Sequence, residues 1–531
     1  MKKTVWMLLT FGLTQAIFCQ KTTQQQLDEL LTAYTNLHKF NGSVLVAQKG
    51  KVILEKGYGM KNATDKNDKQ SIFQIYSITK TFTSTVILKL VKQGKLSLSD
   101  KLSKFYPSFP KGDSITIEHL LTHTSGLYEY THGGDIGKTE KSFVDFLATK
   151  PLDFSPGTGW SYCNSGYWLL GFIIQKTTGL TYENAVREYI FKPLHMTNSG
   201  FDYKPLVNKN KTTGYEIYTD TKKKEAIIYD PPGPYAAGAI YSTVGDLFKY
   251  HEALQSYKLL DKATLQKAYT PFKNNYGYGW IINQYDNKQS VSHSGGAAGF
   301  RSNFERIPEE DICIVILSNI EASNVQSITG KLLDVLHNKP YTVPSGIKLP
   351  IETLKKYTGT YKWPTRNLTV YITIEDGYLV AQPARQPKTT LVAQRENYFY
   401  SFEADAYIEF KKDSLEKVML TQRGDQLEGN KIYPSWGLLG SAASNGWDGN
   451  NDIAFTEDDT KKGLWKLNNV KLVAGEFKLR FNNDWTINYG DNDNDTVLDS
   501  YGNNIKVEAG TYDIVLDLSD ENNPRYILTK K

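Results

Sequence analysis

The chain has 531 residues, of which 40% are hydrophobic, 13% aromatic and 22% charged, and its formal net charge is +5. This is the composition of a globular protein, and the length predicts two to four domains. Nucleic-acid binding is not favoured, because Lys and Arg cluster only in short runs at 208–210 and 222–224, which are typical of solvated loops. No stretch after the N-terminus approaches the roughly 18 apolar residues that a membrane-spanning helix needs.

The first 19 residues have the pattern of an export signal. Lys2 and Lys3 form a charged start, residues 5–13 are mostly apolar, and cleavage is predicted after Cys19. Bulky residues stand immediately before Cys19. We therefore expect a soluble exported protein (periplasmic, outer-membrane-associated or secreted) rather than one that is lipid-anchored at this cysteine. Two cysteines then remain, which is too few for a disulfide scaffold.

Residues 20–340 predict a mixed domain with strands at both ends and helices between them. Residues 42–59 and 302–319 each alternate around a turn, which predicts two β-hairpins. An apolar stripe at helical spacing predicts a helix from Ser77 to Gln93. Further helices are predicted at 116–122, 142–149, 166–178, 182–191, 243–255 and 323–337. We expect an α+β fold, in which an antiparallel sheet is flanked by helices and accompanied by a helical subdomain.

The pattern changes after residues 338–350, where three prolines predict a linker. Residues 351–427 alternate in short strands and turns, which predicts a small β-barrel or meander. Residues 433–531 form another all-β block, predicted to be a β-sandwich. This block holds four of the nine tryptophans, which are either core residues or in part a platform for sugar rings, with the core the better expectation for most. They are Trp436, Trp447, Trp465 and Trp485.

Ser77 and Lys80 are a candidate nucleophile and its base. A serine needs a base to take its proton, and residues i and i+3 of a helix lie one turn apart on the same face. The same Ser-x-x-Lys spacing recurs at Ser108, Ser345 and Ser414, so the spacing alone decides nothing. Only the copy at Ser77 begins a long amphipathic helix, whose N-terminus favours developing negative charge. The competing interpretation is a capped helix with a surface lysine.

Two further segments carry candidate site residues. Tyr162 and Asn164 lie on a Gly/Pro/Ser-rich loop that leads into an apolar helix, and a phenol there would tune proton transfer by a lysine. The alternative for them is ordinary turn chemistry. His293-Ser294-Gly295-Gly296 stands just before the last hairpin, and its small residues would let a substrate approach the backbone N–H groups. The alternative for His293 is a structural hydrogen bond beside a glycine turn.

In their order and spacing, these three segments resemble the motifs of the serine β-lactamase and penicillin-binding-protein superfamily. The likeness is greatest to its class C β-lactamase, D-alanyl-D-alanine carboxypeptidase and esterase branch. It covers about residues 25–337 and extends to "LLTHTSGL" at 120–127. It implies a β-lactamase/transpeptidase-like fold and a serine hydrolase that forms an acyl-enzyme on an amide or ester. The candidate substrates are a D-Ala-type peptide, a D-amino-acid amide, a β-lactam or a small ester, with no metal or organic cofactor.

The resemblance also implies roles for individual residues. Ser77 would be acylated, Lys80 would handle its proton, and Tyr162 would act as general base and then as general acid. Asn164 would hydrogen-bond the substrate amide. The opposing interpretation is a low-turnover binding or sensor protein that retains the acyl-serine pocket.

For the third segment, the resemblance implies that His293 and Ser294 orient the leaving side or a carboxylate of the substrate. The N–H groups of Ser77 and Gly296, beside Gly295, would form the oxyanion hole. His293 stands where most β-lactamases have lysine, and a neutral imidazole weakens the capture of a carboxylate. Peptidase, amidase or esterase chemistry is therefore a better expectation than efficient β-lactam hydrolysis.

Two other motifs suggest metal sites, and neither is complete. His119 and His123 are four residues apart, as in half of a metal site, but no acidic partner completes the pattern and a structural role is favoured. Residues 491–499 are rich in Asp and Asn like a calcium loop. The EF-hand positions for Gly and Glu hold Thr496 and Gly502, so an acidic turn is the better expectation.

The regions after residue 350 carry resemblances of their own. Residues 351–427 are similar to the lipocalin-like domain that follows some hydrolase domains of this superfamily. Residues 433–531, with "WGLLGSAASNGWDG" among them, resemble the β-sandwich modules of starch-utilisation outer-membrane proteins. This second resemblance implies a glycan or cell-surface contact through the C-terminal domain.

Overall fold

The computed structural model describes residues 21–531 except 138, 220–221, 229–233, 367, 384–385, 387, 402–403, 423, 434, 448–450, 459, 462 and 521–522. The predicted export signal, residues 1–19, lies outside the described residues. The chain divides into two compact units, Met1–Pro344 and Ser345–Lys531, and the division falls inside the predicted linker. In the part of the chain that is described, no helix has both the length and the apolar character needed to cross a membrane.

The first unit mixes helices and strands. Its described helices are α1 (Thr23–Asn36), α2 (Thr79–Lys92), α3 (Ile117–Leu121), α4 (Glu140–Ala148), α5 (Asn164–Thr178), α6 (Tyr182–Val186), α7 (Lys192–Leu194), α8 (Tyr235–Gly238), α9 (Val244–Gln255), α10 (Lys262–Ala268) and α11 (Val325–Leu336). Its described strands are β1 (Gly42–Gln48), β2 (Lys51–Tyr58), β3 (Phe73–Gln74), β4 (Tyr215–Tyr218), β5 (Lys223–Glu225), β6 (Tyr241–Ser242), β7 (Ile281–Tyr285), β8 (Lys288–Ala297), β9 (Phe300–Ile307) and β10 (Ile312–Ser318).

The central sheet takes its strands from both ends of this unit. Its order is β2-β1-β10-β9-β8-β7, and neighbouring strands are antiparallel. β1 meets β10 with Gly42 opposite Ser318 and Gln48 opposite Ile312. β10 is buried along its whole length, with α9 and α11 packed against it. Both predicted hairpins and the predicted α+β architecture are confirmed.

Helix α2 begins two residues later than the sequence predicts. A single 3-10 turn, Tyr76–Ile78, precedes it and carries Ser77. The polar side of α2 is buried as well as its apolar stripe, because its hydroxyl groups hydrogen-bond carbonyl oxygens of neighbouring segments. Thr83 donates to the Ala236 carbonyl at 2.7 Å, and Ser84 donates to the Tyr278 carbonyl at 2.6 Å. These bonds fix α2 in the core of the unit and make it a rigid support for Ser77.

Several elements of the first unit were not among the sequence predictions, including α1, α10 and β8. Helix α1 buries Leu27, Leu30, Leu31 and Tyr34, and Thr22 caps its N-terminus through a capping box. Helix α10 follows an Asp261 cap. Strand β8 contains the whole His293–Gly296 segment, for which the sequence predicted a position just before a hairpin.

The second unit opens with α12 (Ile351–Leu354) and a closed barrel of eight antiparallel strands. The strands are β11 (Gly359–Trp363), β12 (Leu368–Glu375), β13 (Tyr378–Pro383), β14 (Thr389–Arg395), β15 (Tyr398–Ser401), β16 (Ala406–Lys411), β17 (Ser414–Gln422) and β18 (Asp425–Ile432). β11 pairs with β18 and closes the ring. The predicted small barrel is confirmed, and its last strand ends five residues beyond the predicted boundary at 427.

Two further sheets form the C-terminal part. Their strands are β19 (Trp436–Leu439), β20 (Ile453–Ala454), β21 (Thr456–Glu457), β22 (Leu464–Leu472), β23 (Gly475–Phe481), β24 (Asp484–Gly490), β25 (Asp499–Ser500), β26 (Ile505–Val507), β27 (Gly510–Asp517) and β28 (Arg525–Lys530). One sheet has the order β20-β19-β23-β24-β25 with β26 on β23, and the other has the order β21-β22-β27-β28. Apolar residues of both sheets share one core, as expected for a β-sandwich.

The four tryptophans of the sandwich divide between core and surface. Trp436 and Trp465 are buried, whereas Trp447 is 40% exposed and Trp485 is partly exposed. The guanidinium of Arg480 lies 5.0 Å from the ring centroid of Trp485 and forms a buried, bidentate ion pair with Asp452. Each of these two charged side chains is about 1% exposed.

The Asp- and Asn-rich segment 491–499 forms a turn around Asp491. The Asp491 carboxylate accepts the backbone N–H groups of Asp495 and Thr496 and the hydroxyl of Tyr526. Within the described ranges, none of its carboxylates belongs to a group close enough together to hold a metal ion. This geometry agrees with the acidic turn that the sequence favours.

We predict that Asp452→Ala lowers the free energy of unfolding of the sandwich by about 3–5 kcal/mol, because it removes the bidentate carboxylate that pairs with the buried Arg480 guanidinium. The measurement is urea unfolding followed by tryptophan fluorescence. Glu508→Ala is the control, since Glu508 pairs with Lys530 in the same domain and its side chain is 90% exposed. Equal midpoints for the two variants would contradict a structural role for the buried pair.

Candidate active site

Lys80 joins three segments of the first unit through its Nζ atom. This atom lies 3.0 Å from Ser77 Oγ, 2.8 Å from Asn164 Oδ1 and 2.8 Å from the carbonyl oxygen of Ala237. The two carbonyl-type oxygens can only accept hydrogen bonds. A neutral Lys80 therefore donates its two protons to them and turns its lone pair towards the Ser77 hydroxyl.

The environment of Lys80 favours that neutral form near neutral pH. Its side chain is fully buried, and burial lowers the pKa of the ammonium to about 7, while the negative charge of Glu129 acts in the opposite direction. A lysine with this pKa is present in both protonation states near neutral pH. It can accept a proton from Ser77 and return it later, which an exposed lysine cannot do efficiently.

Tyr162 lies beside this pair. Lys80 Nζ is 4.8 Å from the centroid of the Tyr162 ring. Burial raises the pKa of the Tyr162 phenol above its ordinary value, although the Ser77 side chain opposes this shift. The protonated phenol is therefore the stable form, which suits Tyr162 to passing on a proton rather than starting the reaction as a base.

Glu129, which the sequence analysis missed, orients Asn164. Its carboxylate accepts the Asn164 backbone N–H and, at 3.1 Å, the Asn164 Nδ2 group. The side-chain amide is thereby turned so that Oδ1 faces Lys80. Glu129 is only 5% exposed and lies at the N-terminus of α5, where a negative charge is favourable. The sequence feature that could have pointed to Glu129 is its position as an isolated carboxylate between two tyrosines, directly after "LLTHTSGL".

Strand β8 lies against the turn that carries Ser77. Its pairing with β7 ends at Ser292, so from His293 onward that side of β8 has no strand partner among the described strands. The approach is close, because a Cβ atom on Gly295 would lie 2.9 Å from the Ser77 nitrogen and 2.1 Å from the Ile75 carbonyl oxygen. Only glycine fits at position 295, and the absence of a side chain brings the β8 backbone next to Ser77.

Both ring nitrogens of His293 are engaged within the protein. Nδ1 lies 2.7 Å from the Ser294 carbonyl oxygen, to which it must donate, and Nε2 lies 3.0 Å from the hydroxyl of Tyr276, from which it accepts. Burial and the nearby Lys80 lower the pKa of His293 to about 3, so the imidazole is neutral. His293 therefore has no proton left to offer a substrate carboxylate, and this geometry supports a structural role in holding β8.

A cavity of about 450 Å³ opens in front of Ser77. Its described lining consists of Tyr76, Ser77, Tyr130, Thr131, Ile136, Asn164, Pro234, Ala237, Gly238, Gly296 and Ala297. Of the eight predicted site residues, Ser77, Asn164 and Gly296 line it directly, Lys80 and Tyr162 lie next to Ser77, and His293, Ser294 and Gly295 are outside the described lining. The residue before Ser77, Tyr76, has a φ of 43°, and such backbone strain is often found at functional sites.

One group of side chains has the spacing of a metal site, namely His251, Glu252 and Asp311. His251 Nδ1 accepts from the Arg306 guanidinium at 2.9 Å, so its ring proton sits on Nε2, 3.1 Å from Asp311. A protonated nitrogen is not a ligand, and the neighbouring guanidinium repels cations. The group is a hydrogen-bond network rather than a metal centre.

We predict that Glu129→Gln moves the pH midpoint for acylation of Ser77 to lower pH. The wild-type rate should rise with pH through about 7 as Lys80 loses its proton, and removing the Glu129 charge makes the ammonium easier to deprotonate. The maximum rate should also fall, because an amide nitrogen would then face the Asn164 donors. The measurement is the pH dependence of labelling by a fluorophosphonate.

Glu183→Gln is the matched control for this prediction, because the Glu183 carboxylate pairs with Arg187 instead. Its midpoint should equal that of the wild type. A midpoint for Glu129→Gln that stays in place or moves to higher pH would mean that Glu129 does not set the charge state of Lys80.

Comparison with known proteins places the chain in a family. Residues 27–339 match the family model described as Beta-lactamase. Penicillin-binding protein 4* of Bacillus subtilis (strain 168) is 28% identical over 449 residues, which cover 77% of this chain and 99% of that protein. The putative penicillin-binding protein PbpX of the same strain is 30% identical over 305 residues, which cover 56% of this chain and 76% of that protein.

A solved structure agrees with this match. The octameric penicillin-binding protein homologue from Pyrococcus abyssi superposes with a TM-score of 0.56 at 26% identity, covering 76% of this chain and 99% of that chain. The family model spans more than half of the 531 residues and contains all three motif segments. The chain therefore belongs to the beta-lactamase family, within the β-lactamase and penicillin-binding-protein superfamily.

Proposed function

We propose that this chain is an exported serine hydrolase that forms an acyl-enzyme on Ser77 and cleaves an amide or ester. The observation that carries the proposal is the 3.0 Å contact between Ser77 Oγ and a fully buried Lys80 whose pKa is about 7. If the same serine and lysine were in contact on an exposed surface, the lysine would remain protonated and could not act as the base for the serine. The proposed chemistry uses no metal or organic cofactor.

In the acylation step, neutral Lys80 takes the proton of Ser77 while Oγ attacks the substrate carbonyl carbon. The carbonyl oxygen becomes an oxyanion, which the N–H groups of Ser77 and Gly296 would hold. When this tetrahedral intermediate collapses, the bond to the leaving group breaks. The Tyr162 hydroxyl gives its proton to the departing nitrogen or oxygen and is reprotonated from the Lys80 ammonium. The products are the acyl-Ser77 ester and a neutral amine or alcohol.

In the deacylation step, water replaces the leaving group and the same groups act in reverse. The water molecule loses a proton to neutral Lys80, directly or through the Tyr162 hydroxyl, as its oxygen attacks the ester carbon. Collapse of the second tetrahedral intermediate breaks the bond to Ser77 Oγ, which recovers a proton. The products are the free acid and the resting hydroxyl, so atoms and protons balance over the cycle.

The cavity favours substrates without a carboxylate near the reacting bond. Among its described lining residues there is no Lys, Arg or His, whereas Tyr76, Tyr130, Ile136 and Pro234 give it apolar walls. His293 offers no proton to a carboxylate, as its two nitrogens are already bonded. We therefore rank D-amino-acid amides and small esters above D-Ala-type peptides and β-lactams, which carry a carboxylate.

We predict that Ser77→Ala abolishes covalent labelling by a fluorophosphonate or a fluorescent penicillin and lowers ester turnover by at least about a thousandfold. Ser108→Ala is the control, since Ser108 has the same Ser-x-x-Lys spacing and an exposed position. A folded wild type that is neither labelled nor active on the full panel would refute the hydrolase proposal.

The substrate panel should contain D-Ala-D-Ala peptides, D-amino-acid amides, cephalosporins and p-nitrophenyl esters. Mass spectrometry of the trapped adduct identifies the acyl group and the modified serine. Mass spectrometry of protein recovered after export also identifies its first residue. We expect this residue to be Gln20, because the proposed cleavage is after Cys19.

A second candidate function is a penicillin-binding protein or sensor with slow turnover. Two relatives are named penicillin-binding proteins, which favours capture of a β-lactam by the same serine. The two functions differ in deacylation: a hydrolase turns over many substrate molecules, whereas a sensor releases one equivalent of product and stops. A burst of one equivalent without a steady state would favour the sensor.

We also propose that the C-terminal sandwich contacts glycan. The specific observation is a pair of neighbouring indole rings, one exposed and one partly exposed: the centroids of Trp447 and Trp485 lie 6.3 Å apart with planes inclined by 31°. Trp447 is 40% exposed. Flat indole faces that are open to solvent suit the apolar faces of sugar rings.

We predict that Trp447→Ala weakens retention of the full chain on an α-glucan column by roughly tenfold, because it removes one ring of the pair. Tyr257→Ala is the control, since Tyr257 is 50% exposed in the first unit. Equal retention of wild type and Trp447→Ala would remove the support for this contact.

A further inference from the structure

Tyr162 is held on both sides by His123, a residue outside the three motif segments. The Ser161 N–H donates to the His123 carbonyl oxygen at 3.1 Å, and the Cys163 N–H donates to His123 Nδ1 at 3.0 Å. The residues before and after Tyr162 are therefore tied to one histidine. No helix or strand fixes this stretch, because α5 begins only at Asn164.

The imidazole also contacts the Tyr162 ring. The two ring centroids lie 4.4 Å apart with planes inclined by 42°, and His123 is only 1% exposed. Tyr276 and Tyr167 pack against the same imidazole, at centroid distances of 4.5 Å and 5.2 Å. His123 thus sits in a rigid aromatic cluster and sets both the backbone and the ring plane of Tyr162.

Two features of His123 are unfavourable for folding. Its φ is +59°, in the left-handed region that residues other than glycine rarely adopt. The Cys163 backbone amide can only donate, so Nδ1 of His123 is the acceptor and the ring proton sits on Nε2. The second unfavourable feature is that this buried Nε2 has no hydrogen-bond partner in the described part of the chain. A histidine that only filled space would be a poor choice at this position.

A metal site does not explain His123. Its Nδ1 is occupied by the Cys163 amide, and Nδ1 of His119 accepts the Thr116 amide in the cap of α3. Burial lowers the pKa of His123 well below its ordinary value, so it is a neutral imidazole with a fixed tautomer. The two histidines therefore hold backbone amides.

We propose that His123 is a positioning residue for Tyr162, fixing the phenol where it can protonate the leaving group. The inference rests on the proposed function, because it assigns Tyr162 a task in the reaction. Proton transfer tolerates little displacement, and a shift of about 1 Å costs roughly a hundredfold in rate. His123 is not among the described lining residues of the cavity, so we expect its effect to reach the substrate through Tyr162.

The leaving group provides a test that a general structural defect does not mimic. An ethyl ester needs a proton on its departing alkoxide, whereas the p-nitrophenolate of the corresponding ester leaves without one. We expect His123→Gly to lower kcat for the ethyl ester by about a hundredfold and for the p-nitrophenyl ester of the same acyl group by less than about tenfold. KM should change by less than about threefold. Rates are expressed per active site, titrated with a fluorophosphonate.

The two substitutions are chosen to suit the backbone. Glycine and asparagine both accept a positive φ, so neither adds strain at position 123. Asparagine carries Oδ1 near the place of Nδ1 and can still accept the Cys163 N–H. We therefore expect His123→Asn to restore the ethyl-ester rate to within about tenfold of the wild type, while His123→Gly does not.

A double-mutant cycle with Tyr162→Phe completes the test. If His123 acts through Tyr162, His123→Gly has no further effect on the ethyl ester once the hydroxyl is gone. Should His123→Gly not fold, the same cycle is run with His123→Asn. Equal losses for both esters, or an undiminished loss in the Tyr162→Phe background, would overturn the inference and leave the hydrolase proposal standing. A wild type that neither labels nor turns over would overturn both.

Discussion

The first unit is organised around a lysine that has no contact with water. Lys80 Nζ has three oxygen partners, and they come from the turn before α2, the first residue of α5 and the α8 helix. Burying an amino group is costly unless its hydrogen bonds are satisfied, so the three segments must meet at one point for the fold to be stable. The same burial lowers the pKa of Lys80 to about 7. Stability and reactivity therefore depend on one arrangement, and neither can be changed without the other.

Much of this arrangement was readable in the sequence, because its signals are local. The Ser77–Lys80 spacing, the apolar stripe of α2 and the two hairpins each depend on residues a few positions apart. Glu129, His123 and Tyr276 were not predicted as site residues, since each acts on a partner between 17 and 40 residues away along the chain. Strand β8 was missed because its Ser/Gly-rich sequence has weak β-propensity and pairing with β9 overrides it. Helix α1 was missed although its apolar spacing was visible.

The C-terminal unit shows a different limit of sequence reasoning. Trp436 and Trp447 are eleven positions apart in similar surroundings of small and polar residues, yet one is in the core and the other is 40% exposed. Alternation identifies strands but does not tell which face is covered by the second sheet. For the barrel the topology was easier to infer, since eight short strands joined by turns have few ways to bury their apolar faces.

The pairing of β1 with β10 has a consequence for how the protein is made. Gly42 and Ser318 are opposite each other in the middle of the central sheet, so this sheet has no core until almost the whole first unit has been synthesised. Contacts of such long sequence separation form slowly, because a large loop must close before any of them is gained. Strand β1 therefore stays without its β10 partner until most of the first unit has left the ribosome.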